Sequence, residues 1–492
     1  MTARNRIRFL RRGDVVELTA VPPTRTLLDY LRLEQGSRGT KEGCGEGDCG
    51  ACTVALGSLK DGKLVYEPVN ACILMLGQID GKELVTVDDL ASHGKLHPIQ
   101  QALVDHHGSQ CGFCTPGFVM SLFPLYQSTA AADRRMVVDQ LAGNLCRCTG
   151  YRPIIEAALA ACTGKPDDAW SEAGPEIAQT LSGFEDGSDL FIGDDEEFFA
   201  APAFDEALAP LTEKHPDAVI LSGATDVGLW VTKQLRQIRK IIFLGRMHSL
   251  REIVETDDSV KIGAAVTYAE AEPSLAAIDA DLVELLRRIG SKQVRATGTL
   301  GGNIANGSPI GDMPPALIAL GAELDLRRGR ETRTLALEKF FIAYGKQDRR
   351  PGEIVAHITV PKLKRGEAFR CYKITKRFDQ DISSVLAAFK FSIVNGRITE
   401  ARIAYGGMAA TPKRAPKTEA AVKSLSLDDP DGWTDAADRL AEDFQPIDDH
   451  RASAAYRSET ARNLLIKALT EMAGEATHNT RVIGMREPAH AG

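Results

Sequence analysis

Lys41-Glu42-Gly43-Cys44-Gly45-Glu46-Gly47-Asp48-Cys49-Gly50-Ala51-Cys52-Thr53-Val54 packs three cysteines into a glycine-rich stretch, and a fourth, Cys72, follows a strand-like run. The spacing C-x4-C-x2-C…C is that of a plant-type [2Fe–2S] cluster. Four thiolates must converge on one small inorganic core, so the backbone has to wrap tightly. Gly43, Gly45, Gly47 and Gly50 permit positive φ and leave amide N–H groups free to face sulfur. A zinc knot is the alternative, but zinc favours paired C-x2-C units over x4 followed by x2.

Outward from this loop, the cysteines form a second set. The chain has ten, eight of them before residue 150: Cys44, Cys49, Cys52 and Cys72, then Cys111, Cys114, Cys146 and Cys148. Cys162 and Cys371 stand apart and read as plain buried thiols. Gln110-Cys111-Gly112-Phe113-Cys114-Thr115-Pro116-Gly117 and Gly143-Asn144-Leu145-Cys146-Arg147-Cys148-Thr149-Gly150 both sit where a loop meets a helix start. Helix N-termini favour anionic thiolates. A C-x-C pair is unusual for structural zinc, yet spacing alone leaves zinc and iron–sulfur both open for this second set. With four thiols present, the neighbouring His106 and His107 are left out of the metal shell.

The 492 residues exceed what one core usually covers, so three or four domains are expected. A net charge of −8 argues against nucleic acid or an anionic membrane surface as partner. The basic N-terminus lacks the apolar run of a signal peptide. No stretch reaches the roughly 18 apolar residues of a membrane span. The expected location is the cytoplasm, where disulfides are rare and two thiol quartets read as two metal clusters.

Along the chain, residues 1–90 read as hairpin, helix, cluster loop and hairpin. Arg11-Arg12-Gly13-Asp14 and Asp61-Gly62 mark the turns, and Thr26 with Asp29 suggests a helix cap. Residues 91–165 read as four helices. Residues 166–195 carry a run of Asp and Glu and suggest a solvated acidic linker. From 196 to 367 short strands alternate with helices. Within them Arg295–Asp312 is too rich in glycine and polar residues for a packed element, and suggests an anion or nucleotide loop. No strand–GxGxxG–helix unit is present, so a Rossmann site is not supported. From 368 to 475, Asn395-Gly396 marks a hairpin turn, and Ser453 to Leu469 reads as a helix with Tyr456, Leu464 and Ala468 inward. Residues 476–492 read as a loose tail. No catalytic constellation stands out.

The two cysteine motifs, the second completed by Tyr151-Arg152-Pro153, closely resemble the molybdenum hydroxylase family. The order of segments resembles the small iron–sulfur/flavin subunit of its xanthine-oxidising members. The resemblance implies a multidomain α+β fold: a β-grasp ferredoxin-like domain, a four-helix [2Fe–2S] domain, a non-Rossmann α+β FAD-binding domain and a small α+β C-terminal domain. It implies FAD contacts at Ile220-Leu221-Ser222-Gly223-Ala224-Thr225-Asp226-Val227 and at Thr299, Gly302, Asn303, Asn306 and Asp312. Val355 and Lys373 fall at further flavin positions. Gln110 matches a glutamine that touches the pterin of the molybdenum cofactor. Gln380, in Arg377-Phe-Asp-Gln-Asp381, departs from the acidic pattern of the family there.

Function follows as a further implication: no catalytic residue on this chain, but electron transfer from a molybdenum cofactor on a large partner subunit, through two [2Fe–2S] clusters to FAD and on to NAD+. The assembly implied is a dimer of heterodimers. The same electron chain would serve an aldehyde or N-heterocycle hydroxylase, and a free-standing iron–sulfur flavoprotein diaphorase is the alternative of another class.

Overall fold

Arg12-Gly13 and Asp61-Gly62 hold positive φ at both turn positions (55° and 82°, 50° and 72°), as a type I′ hairpin needs. These turns join β1 (Ile7–Arg11) to β2 (Asp14–Leu18) and β3 (Thr53–Lys60) to β4 (Lys63–Asn70). The computed structural model describes residues 3–92, 94–128, 131–475 and 477–481. The chain divides into two units. One runs to Ser249 and includes Gly290–Thr299; the other comprises Leu250–Ile289 and the chain from Leu300 onward.

In the first unit a short strand, β5 (Glu83–Val85), inserts between the two hairpins, giving the order β2-β1-β5-β3-β4. It runs parallel to β1 and antiparallel to β3, which closes a β-grasp sheet. Thr26 Oγ1 accepts from the Asp29 amide at 3.0 Å and starts the helical turn that lays Leu27, Leu28 and Leu31 on this sheet. The next part holds helices Pro98–Asp105, Thr115–Gln127, Arg134–Leu141 and Arg152–Ala161. They bury Ile99, Phe118, Leu122, Phe123, Val137, Ile154 and Ala158 together.

The acidic segment expected to be a solvated linker is ordered instead. Asp168 caps a helix, Ala169–Ser182, by accepting from the Ser171 amide at 2.8 Å. Ile177 and Leu181 are buried, and Trp170 meets Phe123 edge-on at 5.5 Å. The acid groups misled because they serve as caps: Asp194 likewise accepts from the amides of Glu196 and Glu197 in a turn. That turn joins β6 (Leu190–Gly193) to β7 (Phe198–Ala201). With β8 (Val219–Leu221) and β9 (Lys240–Phe243) they form a sheet in the order β6-β7-β9-β8.

Among the described residues the second unit contains two larger sheets and a two-stranded one. The first takes β10 (Ile253–Glu255), β11 (Ser259–Gly263), β12 (Glu323–Arg328), β13 (Glu331–Ala336) and β16 (Ile354–Pro361), in the order β10-β11-β16-β12-β13. Between them β14 (Phe341–Ala343) pairs with β15 (Lys346–Gln347). The other sheet is a meander of β17 (Glu367–Ile374), β18 (Val385–Val394), β19 (Arg397–Gly406) and β20 (Lys413–Arg414). Asn395 and Gly396 hold φ of 51° and 72° at its main turn, as the sequence predicts.

Three further expectations need correction. Residues 295–312 are mostly helical: Lys292–Thr297 in the first unit, then Leu300–Asn306 in the second, with 298–299 between them and 307–312 before the helix Met313–Leu320 left as loop. The glycines there serve packing as well as loops; a Cβ at Gly301 would fall on the Ala264 backbone. In the helix Ala454–Met472, Leu464 and Ala468 are buried but Tyr456 is half exposed. Its neighbour Arg457 points inward, donating to the Gly407 carbonyl at 2.9 Å and gripping Asp449 at 2.7 Å. Of the expected tail, residue 476 and residues 482–492 lie outside the described residues. Thr477–Thr480 is a helical turn, and Arg481 pairs with Asp281 at 2.8 Å and Glu471 at 2.6 Å, so this part is docked.

Candidate iron–sulfur and flavin sites

The first quartet is built by the loop between the helical turn and β3, which carries Cys44, Cys49 and Cys52, and by Cys72 just after β4. Gly45, Gly47 and Gly50 hold φ of 64°, 78° and 71°, so the glycine-rich reading of this loop is a backbone requirement. A Cβ at Gly43 would sit 2.8 Å from Cys49 Sγ. Cys44 and Cys49 are half-buried, Cys52 and Cys72 buried. Hydrogen bonding among the thiols drives them apart: Cys44 is held well below the ordinary thiol range by Cys49 and Cys72, whereas Cys49 and Cys72 are pushed far up, first by Cys44. The Glu46 amide donates to Cys44 Sγ at 3.4 Å, and Asn70 Nδ2 ties the loop at the Gly47 carbonyl, 2.9 Å away.

The second quartet lies at two helix approaches. Cys114 precedes the helix Thr115–Gln127, and Cys146 and Cys148 precede Arg152–Ala161. Cys111 and Cys148 are exposed, free and within hydrogen-bonding reach of each other; Cys114 and Cys146 are half-buried and likewise paired. Burial, then Cys146, pushes Cys114 up to about 12. Burial acts to raise Cys146 too, but the Thr149 hydroxyl, 3.1 Å away, the Thr149 and Cys148 amides and Cys114 together outweigh it and hold that thiol below its ordinary value. Tyr151, at φ 67°, accepts from the Cys146 amide through its hydroxyl at 3.0 Å.

Among the described residues, no three His, Cys, Asp or Glu side chains are set around a single ion position. The thiols of each quartet instead lie within hydrogen-bonding reach of one another, in a continuous run in the first and in two pairs in the second, which suits a core of two irons sharing four cysteines. The donor set therefore fits [2Fe–2S] at both places.

The residues expected at flavin fall in both units. In the first, Ile220–Val227 leaves β8 as a turn. Ala224 holds φ 65°, and a Cβ at Gly223 would fall on the Thr297 carbonyl. Thr299 Oγ1 donates to Ser222 Oγ at 3.1 Å, which brings Thr299 onto this turn. In the second unit, Gly302, Asn303 and Asn306 ride on the helix Leu300–Asn306. Asn303 Oδ1 is buried with no hydrogen-bond partner, an acceptor left for a donor outside the protein. Asp312 and Lys373 form a buried ion pair, and Ser383 Oγ donates to Asp312 at 2.5 Å. Val355 is a core residue beside Leu300 and Ile304 in the same apolar cluster. Gln110 is exposed next to Cys111. In the 377–381 loop Asp381 accepts from the Lys376 and Arg377 amides at 2.9 Å, so its carboxylate closes the turn.

Sequence reasoning missed several supporting groups. Lys233 Nζ donates to the Cys44 carbonyl at 2.5 Å, Arg288 to the Lys373 carbonyl at 2.9 Å, and Gln293 reaches the region of both quartets. Only Tyr151 had a local signal, being inside the second cysteine motif. The others act across long separations that no spacing reveals.

Four family models match consecutive stretches: a 2Fe-2S iron-sulfur cluster binding domain over residues 11–76, a [2Fe-2S] binding domain over 86–159, the FAD binding domain in molybdopterin dehydrogenase over 195–363, and the CO dehydrogenase flavoprotein C-terminal domain over 370–472. The chain belongs to the molybdenum hydroxylase family. Among relatives of this family, xanthine dehydrogenase/oxidase of Rattus norvegicus is 33% identical over 470 residues, which cover 85% of this chain and 35% of that protein. Xanthine dehydrogenase of Emericella nidulans is 30% identical over 496 residues, 89% of this chain and 36% of the relative. This chain thus spans about a third of the length of these relatives. A carbon monoxide dehydrogenase structure from Hydrogenophaga pseudoflava superposes with a TM-score of 0.52 at 27% identity, covering 54% of this chain and 93% of that one. The molybdenum hydroxylase architecture, two [2Fe–2S] domains, an FAD-binding domain and a C-terminal α+β domain, is the one this chain adopts. No helix among the described residues is long and apolar enough to cross a membrane.

Proposed function

We propose that this chain is the small, electron-transferring subunit of a cytoplasmic xanthine dehydrogenase, with module boundaries near residues 90, 165, 195 and 367. A large partner subunit would hold the molybdenum cofactor and oxidise hypoxanthine and xanthine to urate, with NAD+ as final acceptor and a dimer of heterodimers as the assembly. The observation that carries the reading is the pair of cysteine quartets, each with its thiols drawn together, in two [2Fe–2S] domains ahead of an FAD-binding region. When bound, the clusters would exchange single electrons and FAD would take up two of them one at a time and give them out as a pair, which joins a metal centre to a hydride acceptor.

The protein's own contribution is to hold and tune these groups. Cys44, Cys49, Cys52 and Cys72 ligate one cluster; Cys111, Cys114, Cys146 and Cys148 ligate the other. Ile220–Val227 with Thr299, and Gly302, Asn303, Asn306, Asp312, Val355 and Lys373, contact FAD. Gln110, exposed beside the second quartet, faces the partner's pterin. No residue of this chain touches the purine.

The test is to purify the chain alone and with its large partner, measure iron, sulfide and flavin, and assay a panel of purines, aldehydes and N-heterocycles with NAD+ and oxygen as acceptors. Xanthine-dependent NADH formation only in the complex is expected. Hydroxylation by the isolated chain, or a complex active on aldehydes alone, overturns the assignment.

A further inference from the structure

Three hydrogen bonds close a ring around Cys146. Thr149 Oγ1 lies 3.1 Å from Cys146 Sγ. The Tyr151 amide donates to the same Thr149 Oγ1 at 3.1 Å, and the Tyr151 hydroxyl accepts from the Cys146 amide at 3.0 Å. An N–H can only donate, so Thr149 Oγ1 is the acceptor from Tyr151. A cysteine that ligates a metal is a thiolate and carries no proton. The hydroxyl proton of Thr149 is therefore the one directed at sulfur, and Cys146 Sγ accepts it.

The backbone is bent to make this ring. Gly150 and Tyr151 hold φ of 68° and 67°, and the second is a conformation that a residue with a Cβ rarely adopts. Strain of this kind persists where the surroundings over-determine it, and it gathers at functional sites. Here it sets one tyrosine's amide on Thr149 and its hydroxyl on the Cys146 amide. The ring edge of Tyr151 also meets Phe118, with centroids 6.3 Å apart. At the first quartet the side chain beside a ligand sulfur does the opposite. Asn70 Nδ2 is committed to the Gly47 carbonyl at 2.9 Å, which leaves Oδ1 toward Cys52 Sγ at 3.8 Å. An amide oxygen cannot donate to a thiolate.

A donor facing a ligand sulfur offsets part of its negative charge. An iron–sulfur centre gains one negative charge with each electron it takes up, so such a donor favours the reduced form and raises the reduction potential. We propose that Thr149 is a positioning residue that raises the potential of the centre held by Cys111, Cys114, Cys146 and Cys148, by donating its hydroxyl proton to the Cys146 thiolate while Tyr151 holds that hydroxyl in the donating orientation. The proposal rests on reading the second quartet as a [2Fe–2S] site. One electron enters that centre from an added reductant, no covalent bond changes, and the proton stays on the Thr149 oxygen.

The test uses the full chain and three variants. Thr149→Val keeps the branched shape and lacks the donor, Thr149→Ala lacks it in a smaller side chain, and Thr149→Ser keeps it. Iron and sulfide are counted first. Each protein is then poised at stepped potentials with dithionite, and the low-temperature electron spin resonance signals give a midpoint for each of the two centres. Iron-replete Thr149→Val is expected to move one midpoint to lower potential and leave the other at the parent value, and Thr149→Ser to keep both at the parent values. Unchanged midpoints in Thr149→Val, or an equal shift in Thr149→Ser, overturn the proposal. Thr149→Ala decides in the same way if Thr149→Val does not hold its iron. Loss of one centre's iron from both would make Thr149 a requirement for holding iron rather than a setter of potential, and overturns it as well. A parent protein without iron overturns the cluster reading instead, which keeps the two failures distinct.

Discussion

Lys373 Nζ and Asp312 Oδ2 form an ion pair with both side chains removed from water, and Ser383 Oγ donates to the other carboxylate oxygen. Breaking one side of such a pair leaves a charge buried without its partner, at a cost of roughly 3–5 kcal/mol. Lys373→Met is therefore expected to lower the thermal unfolding midpoint markedly and to reduce flavin absorbance per chain. Adding Asp312→Asn removes the orphaned charge and is expected to recover much of the stability but not the flavin. Calorimetry with flavin quantitation checks both.

Glu83 is buried in β5 and receives the Tyr66 hydroxyl at 2.7 Å. Burial lifts its carboxyl from an ordinary 4.5 to about 7, against the hydrogen bonds from Tyr66 and Trp170 that act to lower it. A group whose folded pKa lies above its unfolded value favours folding when protonated. Its contribution is whole below pH 4.5 and is lost as pH rises to about 7. The shift corresponds to about 3 kcal/mol. Unfolding curves at pH 5 and pH 8 are expected to converge in Glu83→Gln relative to the parent.

Two glycines with like backbone angles are expected to behave differently. Gly50 and Gly62 hold φ of 71° and 72°, so alanine strains both by about 1 kcal/mol. At Gly62 the new Cβ meets nothing within 4 Å, whereas at Gly50 it meets the Gly143 carbonyl and the Asn144 side chain. Gly50→Ala should therefore lose iron as well as stability, and Gly62→Ala only a little stability. Iron analysis beside thermal melts separates them.

Single ligand replacements give the plainest count. Two [2Fe–2S] centres hold about four irons per chain. Cys44→Ser and Cys148→Ser are each expected to reduce this to about two, removing one resonance signal and sparing the other. If either replacement abolished all iron, the two quartets would not be independent sites.

Much of the site was legible in the chain. The cysteine spacings, the positive-φ glycines and the Asn395-Gly396 turn follow from local chemistry that tertiary context does not override. The ordered segment Ala169–Ser182 was obscured because its acid groups resemble a solvated tether, while Asp168 is a helix cap and Ile177 and Leu181 are core. β5 escaped notice for a different reason: three residues between two hairpins carry no alternation of their own. Residues 300–306 looked like loop because their glycines serve helix contact with Ala264.

What the sequence determined by itself is the proposed donor set: eight thiols in two groups, and the positive-φ glycines that turn the chain tightly around the first of them. These are short-range demands, met within a few residues. Tertiary structure alone decided which distant groups support them: Gln293 beside Asn144, 149 residues away, Asp312 beside Lys373, and Arg481 between Asp281 and Glu471. Such partners are chosen by the packing of whole elements, and a buried polar group takes whatever mate the fold brings within reach. That choice leaves no periodicity and no motif for the chain to display.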